Sequence, residues 1–270
     1  AAGMPDLHPG LSAPVGAAVQ TEKIIYPELV GGDAGCGMAF FRTTVPAGKF
    51  KAARLERRLL SGGIPVPEAD FPAEWPDWLR RELGTLGHGN HFAELQELAG
   101  IRLPDRAREL GLDRRNLRLL VHLERTPKGG LDPESEAGKR YLERHNRLLA
   151  WAKRSRRLAA EGFLSLAGAE GECVSDNCHN SVAPDPFAAG RWIHRKGAAS
   201  TESGLPFVIA GSRGTPSYLV EPCGEQADNL WSCAHGAGRK WNRSGARSRL
   251  ENRYDAEALR RTKLGGIVVC

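Results

Sequence analysis

The feature that most constrains the fold of this chain is a single long segment with helical periodicity, set among short apolar runs. The segment covers residues 133–163 (PESEAGKRYLERHNRLLAWAKRSRRLAAEGF), with Pro133 suited to its first turn. On both sides, glycine, asparagine and proline separate apolar runs that are too short for helices and are of strand type. These runs are LRLLVH at 117–122, RWIHR at 191–195, PFVIA at 206–210 and SYLVE at 217–221. The pattern predicts a mixed α/β (α+β) fold in a single large domain, with long loops that carry the chemistry.

The first sixty residues show the same succession of short elements. Residues 14–45 are rich in glycine, valine and isoleucine, which predicts short strands joined by tight turns. Residues 47–61 have helical spacing and are followed by two glycines, so they predict a helix. The chain opens without Met and closes on GGIVVC, which reads as an interrupted strand. We therefore expect the domain over residues 1–270 to be truncated at both ends.

The charge balance and the hydropathy limit the classes of function. Lysine and arginine outnumber aspartate and glutamate by 38 to 32, giving a net charge of +6 and a pI near 9.1. This excess suits a polyanionic partner, although basic runs such as 54–58 and 153–157 are also typical of solvated helix faces. No apolar run reaches the about 20 residues that cross a bilayer, and Asp6 and His8 interrupt any N-terminal signal. We therefore expect a cytoplasmic protein with no membrane segment. The six cysteines have irregular spacings, which favours reduced thiols.

Five short motifs contain the side chains that are able to carry chemistry. They are GGDAGCG at 31–37, GTLGHGNHFAE at 84–94, His122 at the end of LRLLVH, NCHN at 177–180 and SCAHGAGR at 232–239. Glycine permits sharp turns that direct a carboxylate and a thiol toward one point, and backbone amides before a helix can hold phosphate. Each motif also has a structural explanation: a cysteine filling a tight turn, an asparagine helix cap, or a histidine bound to the backbone. Cys173, Cys178 and His179 could also suggest a zinc knuckle, but no second pair completes four ligands.

Taken together and in this order, the motifs resemble the RtcB family of RNA ligases. IHRKGA at 193–198, GSRGT at 211–215 and the opening MPDLHPG at 4–10 are similar to the same family. The resemblance runs over essentially the whole chain, and it implies a single RtcB-like domain with long active-site loops. A joint match of several spaced motifs is far more specific than any one of them.

The resemblance implies a GTP-dependent RNA ligase with two Mn²⁺ ions. Cys36 would bridge the ions, with Asp33 and His91 completing one site and His122 and His179 the other. Carboxylate and imidazole ligands suit manganese, while zinc in the same ligands stays an alternative. His235 matches the nucleophile that carries GMP, which passes to an RNA 3′-phosphate before a 5′-hydroxyl displaces it. A 2′,3′-cyclic phosphate is opened first by the same centre.

The resemblance also assigns residues to the nucleotide and the RNA. The residues matching nucleotide contacts are Asn90, Phe92, Glu94, Asn180, Ala210, Gly211, Ser212, Arg213, Ser217, Gly236, Ala237 and Gly238. The candidates for contacts to the RNA backbone are Arg195, Lys196, Arg239 and Arg243. The alternative is that these four residues are ordinary surface charges. The implied partners are RNA ends, such as cleaved RNA or the two halves of a tRNA, and an archease-like activator. The implied processes are tRNA splicing and RNA repair.

Two other classes remain open on the residues. One is a binuclear metal phosphoesterase that acts on RNA ends without ligation, and the other is a non-catalytic RNA-binding paralogue. Residues 123–128 read LERTPK where the family usually has SGSRG after the histidine, and the family's C-terminal lysine is missing. Such departures are typical of divergent paralogues, including those associated with a release-factor-like protein.

Overall fold

The computed structural model describes residues 1–10, 13–67, 72, 81–86, 91–123, 132–239 and 260–269. Its chain divides into two compact units, each built from separate stretches of sequence. Unit 1 contains Ala1–Gly37, Glu124–Leu149 and Asn177–Cys270, and unit 2 contains Met38–Leu123 and Ala150–Asp176.

The described helices all lie in the first 167 residues, and seven strands follow them. The helices are α1 (Pro27–Val30), α2 (Ala52–Gly62), α3 (Pro104–Glu109) and α4 (Glu136–Ala167), with a 3₁₀ turn at Ala47–Lys49. The strands are β1 (Ala2–His8), β2 (Val15–Glu22), β3 (Gly37–Pro46), β4 (Phe92–Gln96), β5 (Asn116–Leu123), β6 (Gly171–Cys178), β7 (Asn180–Pro184), β8 (Arg191–Lys196), β9 (Ala198–Ser200), β10 (Phe207–Ile209), β11 (Tyr218–Val220) and β12 (Ser232–Ala234). The mixed α+β class predicted from the sequence is confirmed.

Unit 1 is organised around a four-stranded sheet in the order β1-β2-β8-β7. The pairs β1–β2, β2–β8 and β7–β8 are all antiparallel, with Ala18 opposite Arg195 and Val182 opposite His194. Two small antiparallel pairs, β9–β12 and β10–β11, complete the strands of this unit. A core of Met4, Ala18, Ile193, Ala198 and Ala234 joins the sheet to β9 and β12.

Unit 2 contains a four-stranded sheet in the order β4-β5-β3-β6. Alternate residues of β5, which are Leu117, Leu119 and Val121, pack in a core with the second half of α4. Leu120 and Arg118 on the other face of β5 are also buried, and Arg118 donates to the backbone oxygen of Asp113 over 2.7 Å. A strand buried on both faces explains why LRLLVH reads as a continuous apolar run.

Helix α4 contributes residues to both units. Its buried residues recur at helical spacing, with Tyr141 and His145 in the first half and Ala152, Ser155 and Ala159 in the second half. The predicted start at Pro133 is wrong, because the helix begins after Ser135. The Ser135 hydroxyl accepts the backbone N–H of Gly138 at 3.0 Å, so this serine is the N-cap.

The other elements predicted from the sequence differ from the structure mainly in their limits. The helix predicted over 47–61 begins only at Ala52, since residues 47–49 form a 3₁₀ turn and Phe50 is extended. Of the terminal run GGIVVC, the described residues form an isolated bridge between Arg261 and Ile267 and no strand. The described cysteines are all free thiols. None of the described helices is long and apolar enough to span a bilayer.

Candidate active site

The loop that follows α1 carries Asp33 and Cys36 in a tight turn. The amide of Cys36 donates to the backbone oxygen of Asp33 over 3.0 Å, and Gly31 begins the turn with φ 84°. The amide of His179, the residue after β6, donates to the backbone oxygen of Cys36 over 2.9 Å. Cys36 and His179 are both buried. The turn therefore holds two of the predicted metal ligands side by side, although they are far apart in sequence.

Asn180 ties this loop to the end of β8. Its side-chain amide donates to the backbone oxygen of Asp33 at 3.2 Å, while its side-chain oxygen accepts the amide of Gly197 at 2.6 Å. Its own backbone oxygen accepts the amide of Gly35. A residue predicted to contact nucleotide thus also fixes the geometry of the loops around it.

His235 lies between a carboxylate and a second imidazole. Its Nδ1 is 2.8 Å from Oδ2 of Asp6 on β1, and its ring centroid is 4.5 Å from that of His179. Asp6 is buried and also accepts the amide of Gly236 at 3.3 Å. The two atoms are within ion-pair distance but are not aligned as a hydrogen bond. A carboxylate this close to Nδ1 favours the proton on that nitrogen, which leaves the Nε2 lone pair available.

The predicted RNA-binding residues on β8 have internal partners. The Lys196 ammonium forms an ion pair with the carboxylate of Asp33, and burial lowers the pKa of this lysine to about 8. Arg195 is buried and donates to Ser232 at 2.8 Å and to Glu202 at 2.5 Å. A phosphate at Arg195 would have to compete with these contacts.

The segment 210–217 packs against the backbone beside His235. The amide of Ala210 donates to the backbone oxygen of His235 at 3.1 Å, and Ala210 forms a parallel bridge with Gly236. The amide of Gly211 donates to the hydroxyl of Ser217 at 3.1 Å, which closes the segment on itself. A Cβ at Gly211 would lie 2.3 Å from the backbone oxygen of Pro216, so only glycine fits there. Small residues here therefore maintain close packing beside the proposed nucleophile.

In unit 2, the predicted ligands His91 and His122 are neighbours. Phe92 on β4 is directly opposite His122 on β5, and the ring centroids of His91 and His122 are 5.4 Å apart in an edge-to-face arrangement. The backbone oxygen of Leu86 is 3.0 Å from Nδ1 of His91, which fixes the orientation of its ring. Phe92 and Glu94 lie on the same face of β4 because side chains alternate along a strand.

A sequence model described as "tRNA-splicing ligase RtcB" matches residues 1–68 and 130–267. The chain belongs to the RtcB family. It is 39% identical to "RNA-splicing ligase RtcB2" of Escherichia coli strain ATCC 25922 over 99% of this chain and 76% of that protein. "RNA-splicing ligase RtcB" of Escherichia coli K12 is 26% identical over 95% of this chain and 80% of that protein.

Membership in the RtcB family places this chain in a family of RNA ligases. The two matched ranges of the family model leave out residues 69–129, which include His91 and His122, whereas the alignment with RtcB2 covers 99% of the chain. The RtcB-like motifs of unit 1 therefore lie within the ranges that both comparisons cover. The proposal that His91 and His122 are metal ligands depends on their proximity to each other and on the longer alignment.

The remaining residues predicted to contact nucleotide or RNA are exposed or half-buried, or lie outside the described part of the chain. Asn90 and Arg243 lie outside the described residues, as does most of the divergent segment 123–128. Arg213 and Arg239 are exposed, as a contact to RNA or nucleotide requires. Ser212 and Ala237 are exposed and Gly238 is half-buried, with a positive φ of 66° that suits glycine.

Sequence reasoning gave no role to Asp6, although the motif MPDLHPG contains it. Its side chain faces His235, which is more than two hundred residues away, only because β1 lies in the same unit as β12. The ion pair between Lys196 and Asp33 was likewise not predicted. In both cases the signal was a charged residue inside a glycine-rich or small-residue motif.

Proposed function

We propose that this RtcB-family chain is a GTP- and Mn²⁺-dependent RNA ligase that joins a 3′-phosphate or 2′,3′-cyclic phosphate to a 5′-hydroxyl. Family membership supports the class of reaction, and the geometry around His235 supports the covalent route. By the same resemblance, we expect tRNA halves or other cleaved RNA ends as substrates and an archease-like activator, in the cytoplasm. tRNA splicing and RNA repair are the processes that these substrates imply.

The contact between Asp6 and His235 is the observation that carries this proposal. With the proton on Nδ1 facing the carboxylate, Nε2 of His235 is the nucleophile for the α-phosphorus of GTP. A P–N bond forms to the imidazole as the P–O bond to pyrophosphate breaks, and the buried carboxylate stabilises the positive charge that develops on the ring. The GMP group then passes to the RNA 3′-phosphate, and the 5′-hydroxyl displaces it.

The donor chemistry of the predicted ligands fits a transition-metal centre. A thiolate and imidazoles are available from Cys36, His122 and His179, and these donor types suit manganese or zinc. Asp33 would add a carboxylate after releasing Lys196, and His91 is the fifth proposed ligand. A metal held there would neutralise charge on phosphoryl oxygens.

Strand order positions one of these ligands within unit 2. The backbone bond from Ala47 to Arg115 and the bond from Thr43 to Leu117 imply an antiparallel register between β3 and β5. Continuing this register sets His122 level with the first residues of β3. We propose that His122, with His91 beside it, supplies imidazole ligands at this end of the sheet of unit 2.

We propose that the nucleotide lies against the small-residue segments beside His235. In unit 1 these are Asn180, the segment from Ala210 to Ser217, and the glycines after His235, while Phe92 and Glu94 on β4 are the described members from unit 2. Arg239, Arg195 and Lys196 stay proposed contacts to the RNA backbone. Competition between GTP and ATP measures whether the pocket selects guanine, and equal affinities would contradict a guanine-specific site.

Labelled GTP tests the proposal directly. The wild type, incubated with Mn²⁺ and GTP labelled at the α-phosphate, is expected to carry an acid-labile GMP adduct. His235→Ala should lose the adduct completely and keep its bound metal, because a covalent nucleophile has no substitute. Cys36→Ala should lose metal first and the adduct as a consequence, whereas Cys173→Ala, which changes an exposed thiol, should lose neither.

The same assay separates the alternatives. A label that persists on His235→Ala would contradict the assignment of the nucleophile. A wild type that binds metal and hydrolyses cyclic phosphate ends without forming an adduct would be a phosphoesterase. A wild type that only binds RNA would be a non-catalytic paralogue.

A further inference from the structure

A groove in unit 2 is lined by basic and apolar side chains from three segments. Its volume is about 280 Å³, and it lies between the end of β3, the start of α2 and the turn after α4. The cations are Lys49, Lys51, Arg54 and Arg58, and the apolar lining comes from Phe50, Leu55 and Leu166, among others. No aspartate or glutamate lines the groove within the described part of the chain.

Three of these cations have no internal role. Lys49, Lys51 and Arg54 are exposed, and within the described residues none of their side chains forms an ion pair or a hydrogen bond. By contrast, three exposed arginines elsewhere in unit 2, which are Arg108, Arg115 and Arg157, are paired with carboxylates. The groove thus concentrates positive charge that the protein itself does not neutralise.

Only one of the four cations, Arg58, has a structural role at the C-terminus of α4. Arg58 donates to the backbone oxygen of Leu166 at 2.5 Å, which satisfies a carbonyl at the helix end. Gly168 and Ala169 donate back to Ser165 and Leu164, so further carbonyls are satisfied within the turn. The partial charge at a helix end is only about half an elementary charge, which leaves three cations without a structural reason.

We propose that Lys49, Lys51 and Arg54 bind the phosphodiester backbone of the RNA substrate, at a site separate from the residues that carry the chemistry. This inference rests on the proposed activity on RNA. A concave surface with charges of one sign attracts a polyanion, and the half-buried ring of Phe50 offers a ribose or a base an apolar contact.

The position of the groove makes it a contact for RNA away from the reacting end. The groove includes Pro46 at the end of β3, and Ala47 beside it bonds to Arg115 at the start of β5. His122 lies at the other end of β5, roughly 20 Å away at about 3.3 Å per residue. A strand held in the groove would therefore be anchored several nucleotides from the ends being joined.

Binding of an unreactive RNA tests this site independently of ligation. The probe is a single-stranded RNA of about 20 nucleotides with a 5′-phosphate and a 3′-hydroxyl, which lacks both ends that the proposed reaction joins. The triple variant Lys49→Gln, Lys51→Gln, Arg54→Gln of the full chain is expected to bind it at least about 10-fold more weakly at low salt. The slope of log affinity against log salt should fall by about 2, since each lost phosphate contact removes about 0.7.

A matched control separates the groove from the net charge. Lys139→Gln, Arg140→Gln, Arg144→Gln removes the same charge from exposed positions on α4 outside the groove, and it should keep most of the affinity. An equal loss in both variants would overturn the inference, because the effect would then be diffuse electrostatics. Competition by inorganic phosphate well beyond that of chloride at equal ionic strength would also overturn it, by indicating a small-anion site.

Failure of the groove and failure of the ligase function have different signatures. If the wild type forms the GMP adduct and the groove variant binds RNA as the wild type does, the inference is wrong and the function stands. If no adduct forms but the groove variant loses RNA affinity, the function is wrong and the groove stands. Unchanged thermal unfolding of the variant confirms that these exposed substitutions leave the fold intact.

Discussion

We propose that the carboxylate of Asp6 favours the form of His235 in which Nε2 is available for reaction. A neutral side chain at position 6 would still contact the imidazole ring of His235. It would no longer stabilise the positive charge that develops on this ring as the P–N bond forms. Asp6→Asn is expected to slow formation of the GMP adduct by about 10²-fold while leaving metal content unchanged. Rapid-quench measurements with labelled GTP give this rate, and Asp228→Asn, at an exposed position, is the control. An unchanged rate would show that the contact has no role in the reaction.

Buried histidines make the stability of unit 1 sensitive to acid. Burial lowers the pKa of His194 to about 4, and its Nε2 accepts the amide of Tyr26 at 2.8 Å. Burial also lowers the pKa of His145, whose Nε2 accepts the amide of Val182 at 3.1 Å. Both rings are therefore neutral in the folded protein and act as acceptors for backbone amides.

We expect the free energy of unfolding to fall as the pH drops from about 6.5 toward 4. In this range the unfolded chain binds protons that folded His194 excludes, so the stability present above pH 6.5 is progressively lost. The shift in pKa from 6.5 to about 4 corresponds to a loss of about 3 kcal/mol from this one residue. Denaturant unfolding at several pH values measures the loss. His194→Gln should show a shallower pH dependence, and an identical dependence would contradict this origin.

The sequence predicted correctly those features that depend only on neighbouring residues in the chain. His122 ends an apolar run of strand type, and the strand predicted there, β5, is confirmed. The pairing of Asp33 with Lys196 could not be predicted, because it depends on how a glycine-rich turn directs a side chain toward a distant strand. The contact of Asp6 with His235 could not be predicted either, because the register between β1 and β2 is irregular and an alternating sequence pattern does not indicate it.

At the scale of elements, α4 shows packing overriding helix propensity. Gly162 lies within this helix, where alanine is normally favoured by about 1 kcal/mol. A Cβ at Gly162 would lie 1.9 Å from the backbone oxygen of Pro65, which cannot move as a side-chain end can. The close approach explains why glycine is present inside α4, five residues before its end.

Gly162→Ala should therefore destabilise the protein in spite of the higher propensity of alanine. The expected loss is about 1–3 kcal/mol, typical of forcing an extra methyl group into a packed site. Ser165→Ala, at an exposed position in the same helix, should be neutral or slightly stabilising. Thermal and denaturant unfolding of the two variants give the comparison, and equal stabilisation of both would show that the helix can move away from Pro65.

At the scale of the whole molecule, metal binding should contribute to stability. A ligand that binds only the folded chain adds about 2.7 kcal/mol when its concentration is 100 times its Kd. Mn²⁺ is therefore expected to raise the midpoint of thermal unfolding of the wild type, and a chelator to lower it again. Cys36→Ala should lose this increment and Cys173→Ala should keep it. A midpoint that does not respond to Mn²⁺ in the wild type would contradict the proposed centre.

Unit 1 is built from separate stretches of sequence, and this has a consequence during protein synthesis. Strand β2 lies between β1 and β8, and Ala18 pairs with Arg195, which the ribosome adds 177 residues later. At about 5–20 residues per second, the hairpin of β1 and β2 is complete roughly 9 to 35 s before β8 is synthesised. Throughout that interval its edge is open to pairing with other nascent chains. Slower translation of the intervening segment would lengthen this vulnerable period, so yield in the cell should depend on elongation rate and on chaperones that cover the emerging hairpin.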